Sequence, residues 1–277
     1  MALTADTIPE IVSSGILDSL QKNLVYSRLF NTDYIGEVVP GNAVKIPAIG
    51  SVTVKDYTTY TDMDDEAVTD SSQTMSIDQQ KYFSIVMDDI DAAMSKPAIM
   101  AAYAREAAFQ LRDTVDQHLA GIVSAGTLKT DLGTTTTPLE ISTSNAEGTL
   151  NLMARQLDEA KVPRAGRVVV VPPWFVQVLT ASNVETLTNN VDVAQNGFVG
   201  RYAGFDVLMS HNVPNTSGSK YKIIGGTDIS ATYGLAINKT ETLRHEKQFA
   251  DKLRGLAVYG SKLTRPATIV VATCDEA

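Results

Sequence analysis

Cysteine is almost absent from this chain of 277 residues; the single one, Cys274, sits beside the C-terminus. One cysteine can form neither an intramolecular disulfide nor a cysteine-cluster metal site. Aromatic residues make up only 6%, and Trp174 is the lone tryptophan, which reads as a helix-packing anchor. No stretch approaches the roughly 18 consecutive apolar residues of a candidate transmembrane helix. The opening Met1-Ala2-Leu3-Thr4-Ala5-Asp6 lacks the basic and then apolar segments of a secretory signal. The chain therefore reads as a protein made and kept soluble. In that setting the triplets Asn215-Thr216-Ser217 and Asn238-Lys239-Thr240 carry no glycosylation meaning.

Catalytic and ligand-binding motifs are missing as well. The nearest approach to a dinucleotide loop, Gly197-Phe-Val-Gly200-Arg-Tyr-Ala-Gly204, has the wrong spacing, and there is no P-loop. His245-Glu246 begins like a zinc-protease helix, but Phe249 stands where the second histidine is needed. Asp62-x-Asp64-x-Glu66 begins like a calcium loop, but Ala67 and Gln73 replace the turn glycine and the closing acid. His118, His211 and His245 lack ligand spacing, and His118 reads as a hydrogen-bonded structural residue on a helix. No G-x-S-x-G elbow occurs; Ser124 in Gly121-Ile-Val-Ser124-Ala-Gly126 has the wrong register. No cofactor, no metal site and no catalytic residue follow. A triad assembled in space leaves no local motif, so an enzyme stays open as an alternative.

Positive charge is scarce in the first third. Residues 1–95 hold 5 Lys+Arg against 15 Asp+Glu, and residues 96–277 hold 18 against 17. The whole excess of the −9 net charge thus sits at one end. An acidic surface gains nothing from counterion release on phosphate backbones, so tight nucleic-acid binding is not expected. What remains is ordinary globular composition, 44% apolar and 20% charged, with room for one or two domains.

The most informative segment is residues 41–92. It reads as a long acidic β-hairpin that the chain does not bury by itself. One strand is Val44–Val54, and the other is Met75–Met87 with Phe83, Ile85 and Met87 in alternation. Between them, Lys55–Ser72 carries Asp56, Asp62, Asp64, Asp65, Glu66 and Asp70 and almost no aliphatic side chains. A lone hairpin is marginal in water, and exposed strand edges invite pairing with another chain. These acids are candidate inter-subunit contacts. So are Ile11 and Leu17, in a short helical stretch within residues 1–40 that needs a partner surface.

A helix over Ser95–Ser124 follows, about 45 Å long at 1.5 Å per residue. Ser95 serves as N-cap and Pro97 fills the first turn. Ile99, Met100, Tyr103, Ala107, Leu111, Val115, Leu119 and Ile122 form its apolar stripe, with Arg105, Glu106, Arg112, Asp113 and Asp116 on the other face. A threonine-rich connector, Thr127–Thr143, leads to a second helix over Asn145–Lys161. The β-branched run Val168–Val171 predicts a strand covered on both faces. Pro172-Pro173 opens a short helix over Trp174–Thr180. Further strands are expected at Phe205–Met209, Tyr221–Ile224, Gly255–Tyr259 and Ala267–Ala272. Residues 145–236 read as a small α/β domain.

This order of parts resembles the major capsid protein of tailed bacteriophages, the HK97-type fold. Two segments carry the resemblance locally: Gly200-Arg-Tyr-Ala-Gly-Phe-Asp-Val-Leu-Met-Ser210 before Val213-Pro214, and Asp251-Lys-Leu-Arg-Gly-Leu-Ala-Val-Tyr-Gly260 before Arg265-Pro266. The first is similar to an axial-domain segment in which a helix turns through glycine into a strand. The second is similar to the closing strands of the P22-like coat group. The implied class is α+β. Residues 1–40 would be the N-arm, 41–92 the E-loop, and 93–144 the spine helix and connector of the peripheral domain. Residues 145–236 would be the axial domain, and 237–277 the closing strands of the peripheral domain.

The resemblance implies a structural protein of the virion, made in the host bacterial cytoplasm. It would self-assemble as hexamers and pentamers into an icosahedral shell around double-stranded DNA, touching that DNA weakly. Partners implied are a separate scaffolding protein, since Met1 starts almost at the arm, a portal protein and in some relatives a decoration protein; no membrane is implied. The same fold builds encapsulin nanocompartments, which is the first alternative. An α/β enzyme with a dimerisation arm is the second.

Overall fold

The computed structural model describes residues 24–33, 43–48, 54, 56–57, 59, 71–88, 99–128, 131–182, 198–216 and 218–276. The chain enters the body through a 3-10 turn, Tyr26–Leu29, and a two-residue strand β1, Phe30–Asn31. Strand β2 (Ala43–Ala48) pairs antiparallel with β3 (Ser71–Ser76), and β4 (Gln79–Asp88) follows at once. Helix α1 is Ile99–Val123, 25 residues. Then come β5 (Leu139–Ile141), α2 (Ala146–Glu159), β6 (Val168–Val171), α3 (Pro173–Ala181), β7 (Phe198–Tyr202), β8 (Phe205–Met209), β9 (Asn215–Thr216) and β10 (Lys220–Gly226). The chain closes with β11 (Ala231–Arg244), β12 (Ala250–Leu263) and β13 (Val270–Glu276).

Among the described residues the strands form three sheets. A seven-stranded sheet runs β5-β13-β10-β6-β8-β7, with β9 beside β10. A four-stranded sheet runs β1-β11-β12-β4, and β2-β3 stand as a pair. The closing strands thus divide: β11 and β12 form a long hairpin in one sheet, and β13 joins the other between β5 and β10.

Local chemistry explains the elements. β6 is four valines, all buried, hydrogen-bonded on both sides, as expected for a strand with both faces covered. Pro172 is extended and caps α3, and Pro173 takes the first helical position, where a missing N–H costs nothing. Arg167, nearly fully buried, ties the turn after α2 together by donating to the carbonyls of Pro163 and Val162 and to Asp158. The segment expected to pass from helix to strand through glycine is a hairpin instead. β7 and β8 meet at Ala203 and Gly204, with φ of +51° and +83°. Two consecutive positive φ values make the I′ turn whose twist matches antiparallel strands.

One apolar core joins the entry turn, α1 and the inner faces of both large sheets; a second lies between α2, α3 and the outer face of the seven-stranded sheet. The stripe of α1 differs from the sequence expectation. Ala104, Ala108, Leu111, Val115, Leu119, Ala120 and Val123 are buried, while Tyr103 is exposed. Alanines at 104 and 108 let the helix approach its neighbours, and the bulky tyrosine falls to the flank. Asp116, expected on the solvent face, is also buried.

The hairpin expectation needs two corrections. The run Met75–Met87 is not one strand: β3 pairs with β2, and β4 leaves it to pair with β12. The base of the hairpin is also not unburied. Val44, Ile46, Met75 and Ile77 close over Val258 of β12 in a small core of their own. Glycine makes this approach possible. A Cβ at Gly260 would lie 2.4 Å from the Ser76 carbonyl oxygen, well inside van der Waals contact.

Candidate interaction surface

The described part of the hairpin covers one face of the four-stranded sheet around Val258 and Gly260. Side chains alternate across a strand, so Val258, Leu256, Arg254 and Lys252 of β12 share that face. Val258 lies under the hairpin and Leu256 is partly covered. Beyond them the register sets Tyr82 opposite Leu256, Ser84 opposite Arg254 and Val86 opposite Lys252. Tyr82 is 81% exposed and Val86 46%. On β11, Glu241 lies across from Arg254 and accepts from its Nε at 2.8 Å and from its Nη2. These side chains, with Phe83 and Gly255, surround an open cavity of about 400 Å³. β4 is the edge of its sheet, with ten residues in line. Phe249, 81% exposed, tips the β11–β12 hairpin beyond it.

The hairpin leaves this surface behind. Ser76 sits at Gly260, and the Gln73 side-chain amide donates to the Thr264 carbonyl at 3.2 Å. The ends Ala48 and Ser71 therefore point past Thr264, while the cavity lies at residues 252–256 of the same strand.

Of the residues singled out from sequence, Asp56 is described and exposed, between Val54 at 95% and Tyr57 at 70% exposure. Asp62, Asp64, Asp65, Glu66, Asp70, Ile11 and Leu17 lie outside the described residues. The surface residues Tyr82, Glu241, Lys252 and Arg254 escaped sequence reading. The even-numbered polar and aromatic positions of 79–88 were their only signal.

Inside the body, one polar cluster joins three elements. The Asp116 carboxylate of α1 accepts the Tyr26 backbone N–H at 3.0 Å on one oxygen. The other oxygen accepts from the Asn212 side-chain amide at 3.3 Å and the Ser210 hydroxyl at 3.5 Å. Asn212 also donates to Asp113 at 2.8 Å. Burial pushes the Asp116 carboxyl above the usual carboxylate range, against the hydrogen bonds that lower it. Burial and the Asp116 charge push Tyr26 well up and Tyr233 up to about 12. Elsewhere on α1, His118 pairs with the Ser261 hydroxyl at 3.0 Å and stacks edge-on with Tyr259; burial lowers its basicity. Cys274 is buried in β13, its thiol pushed up to about 12 by desolvation. Trp174 packs against Phe175 and Tyr221. No described helix is long and apolar enough to cross a membrane.

No protein-family model matches the sequence, and no curated protein sequence does. Solved structures do match. A structure from Mycobacterium phage Che8 is 27% identical, with a TM-score of 0.71 and 90% of each chain covered. The capsid structure of the cyanophage P-SCSP1u is 16% identical, with a TM-score of 0.68 over 91% of this chain and 87% of that one. A virus-like particle from Pyrococcus furiosus is 14% identical, with a TM-score of 0.55 over 96% and 99%. The architecture of this chain is that of the HK97-type capsid proteins.

Proposed function

We propose that this chain is a major capsid protein, the repeating subunit of an icosahedral phage shell. The observation that carries the reading is the match in fold to phage structures along nine-tenths of the chain. The surface supports it. A hairpin whose base alone is seen packed on β12, a ten-residue sheet edge and a partly covered face are features that a neighbouring copy completes. One patch repeatedly meeting another closes a symmetric shell. On this reading residues 41–92 act as the E-loop. Their acidic stretch lies over an adjacent subunit, against a surface such as the cavity of Tyr82, Lys252 and Arg254. The acids Asp56, Asp62, Asp64, Asp65, Glu66 and Asp70, with Ile11 and Leu17 of the N-arm, are the contacts proposed. Residues 145–236, with α2, α3 and strands β6 to β10, serve as the axial domain, and residues 93–144 with 237–277 as the peripheral domain. The closing-strand sequence Asp251–Gly260 supports a place in the P22-like group. The role is structural rather than enzymatic. Assembly would draw on a scaffolding protein, a portal and in some systems a decoration protein, inside the bacterial host.

The purified protein should form closed shells tens of nanometres across in size-exclusion chromatography and negative-stain microscopy. A dimer of about 60 kDa, twice the 29.8 kDa chain, at every concentration would overturn the reading. A second reading, an encapsulin-type compartment, is favoured by the Pyrococcus furiosus match. Shells purified from a DNA-packaging infection with protein cargo and no DNA would favour it.

A further inference from the structure

The entry of the chain into its body is held by apolar burial and by one charge. Leu24, Tyr26, Leu29 and Phe30 are buried in the core shared by α1 and both large sheets. Apolar burial is non-directional, and a four-residue turn followed by a two-residue strand has little register of its own. Hydrogen bonds to a carboxylate are directional and stronger than neutral ones. Asp116 supplies them, facing the backbone of Val25 and Tyr26 on one side and Asn212 and Ser210 on the other.

We propose that Asp116 is the positioning residue of the entry segment: its carboxyl group fixes residues 24–31 on the body and ties them to the loop after β8. Several observations converge. Asp116 is 4% exposed, and among the described residues no cation pairs with it. The titratable groups that face it are Asp113 on its own helix, Tyr26 of the entry turn and Tyr233 of β11. The loop after β8 contributes the neutral donors Ser210 and Asn212. Both tyrosines stay neutral at physiological pH, and among the described residues only neutral donors, not a cation, face the charge. A buried, unpaired charge is costly, and unseating the segment lets water reach it. The latch is therefore directional and also easily opened.

Titration follows from the same geometry. Burial gives the seated Asp116 a higher proton affinity than a hydrated aspartate, so proton binding favours the seated state. That contribution is fully present below the hydrated value near 3.8 and is lost as pH rises through the raised one. The segment should be held more firmly as pH falls through the raised value than above it. What the released segment then touches rests on the shell-subunit reading; the latch does not.

Hydrogen exchange read by mass spectrometry on the full-length subunit tests this. Rates are converted to protection factors at each pH. Asp116→Ala should speed exchange across residues 24–33 at least tenfold and leave α2 unchanged. In the wild type, protection of 24–33 should rise as pH is lowered from 7.5 toward the hydrated carboxylate value near 3.8. Asp116→Asn keeps one accepting oxygen, so it should stay seated and lose that pH dependence. Equal protection of 24–33 in the wild type and Asp116→Ala overturns the proposal, as does an unchanged pH profile in Asp116→Asn. If Asp116→Ala does not fold, the Asp116→Asn profile decides. Microscopy of the wild type scores the shell separately, so either idea can fail alone.

Discussion

β6 and β4 are strands of the same chain with opposite fates. β6 has four valines, all buried, with a hydrogen-bonded neighbour on each side and helices over one face. β4 has ten residues, no valine run, one neighbour among the described strands and an alternation of partly covered and exposed side chains. The first is finished within the monomer. The second leaves Tyr82 and Val86 exposed and, among the described strands, has no partner on its outer edge. Exposed edges of this length are a liability unless something covers them. The chain concentrates its burial in the seven-stranded sheet and α1, and leaves the hairpin side incomplete. A subunit of an assembly gains from that division, because the rigid half fixes where the unfinished half points.

The largest effect should come from the finished half. Phe175 of α3 is completely buried in the outer core. Phe175→Ala should cost about 3–5 kcal/mol and lower the melting temperature of the unassembled subunit by more than any change on the hairpin side. A drop no larger than that of a surface substitution would break the contrast between the halves.

The unfinished half should show the reverse. Replacing residues 56–70 by a short glycine-serine link spares β3, which begins at Ser71. The five-residue core of Val44, Ile46, Met75, Ile77 and Val258 is untouched. Stability of the isolated subunit should change by no more than about 1 kcal/mol, as for surface changes away from packed features. Shells should nevertheless fail to form, or form with wrong curvature, under microscopy. Wild-type shells from the shortened chain would remove the acidic stretch from the contact set.

Much of the fold was legible because burial on both faces leaves a strong trace. Val168–Val171, the α2 region and the Pro172-Pro173 helix start all fell within a residue or two of their observed bounds. The hairpin was harder for a definite reason. Met75, Ile77, Phe83, Ile85 and Met87 all share one phase, interrupted only by Gln79 and Lys81, so sequence reads a single strand. In the fold the chain changes partner at Ile77-Asp78. Met75 and Ile77 then cover Val258, while Phe83 packs into the core on the opposite face. Partner choice is a tertiary fact that period-2 patterning does not encode. Asp116 was misplaced for a similar reason. It stands in line with Ala120 and Val123 along the helix, a face that the entry turn and the loop after β8 help to cover. Its charge argued for solvent, and its partners are a backbone N–H 90 residues before it and side chains 94 and 96 residues after it. The cavity face drew no attention because Arg254, Glu241 and Tyr82 meet only across three strands.

The smallest effect on stability should come from that cavity. Arg254 and Glu241 are side by side on adjacent strands, their side chains 50% and 20% exposed. An exposed pair of this kind contributes about 0–1 kcal/mol, because water screens it and ordering two long side chains costs entropy. Arg254→Ala should therefore barely move the melting temperature of the subunit. Its consequence should appear in assembly, since it removes a cation from the wall that faces a neighbour on the shell reading. Light scattering should show slower assembly at low salt, with the gap to wild type narrowing as added salt screens the charge over about 10 Å or less. An equal deficit at all salt concentrations would mean that the arginine acts by shape. No deficit at any salt would show that this face meets solvent in the shell, and would move the neighbour's contact to the β4 edge or the Phe249 tip.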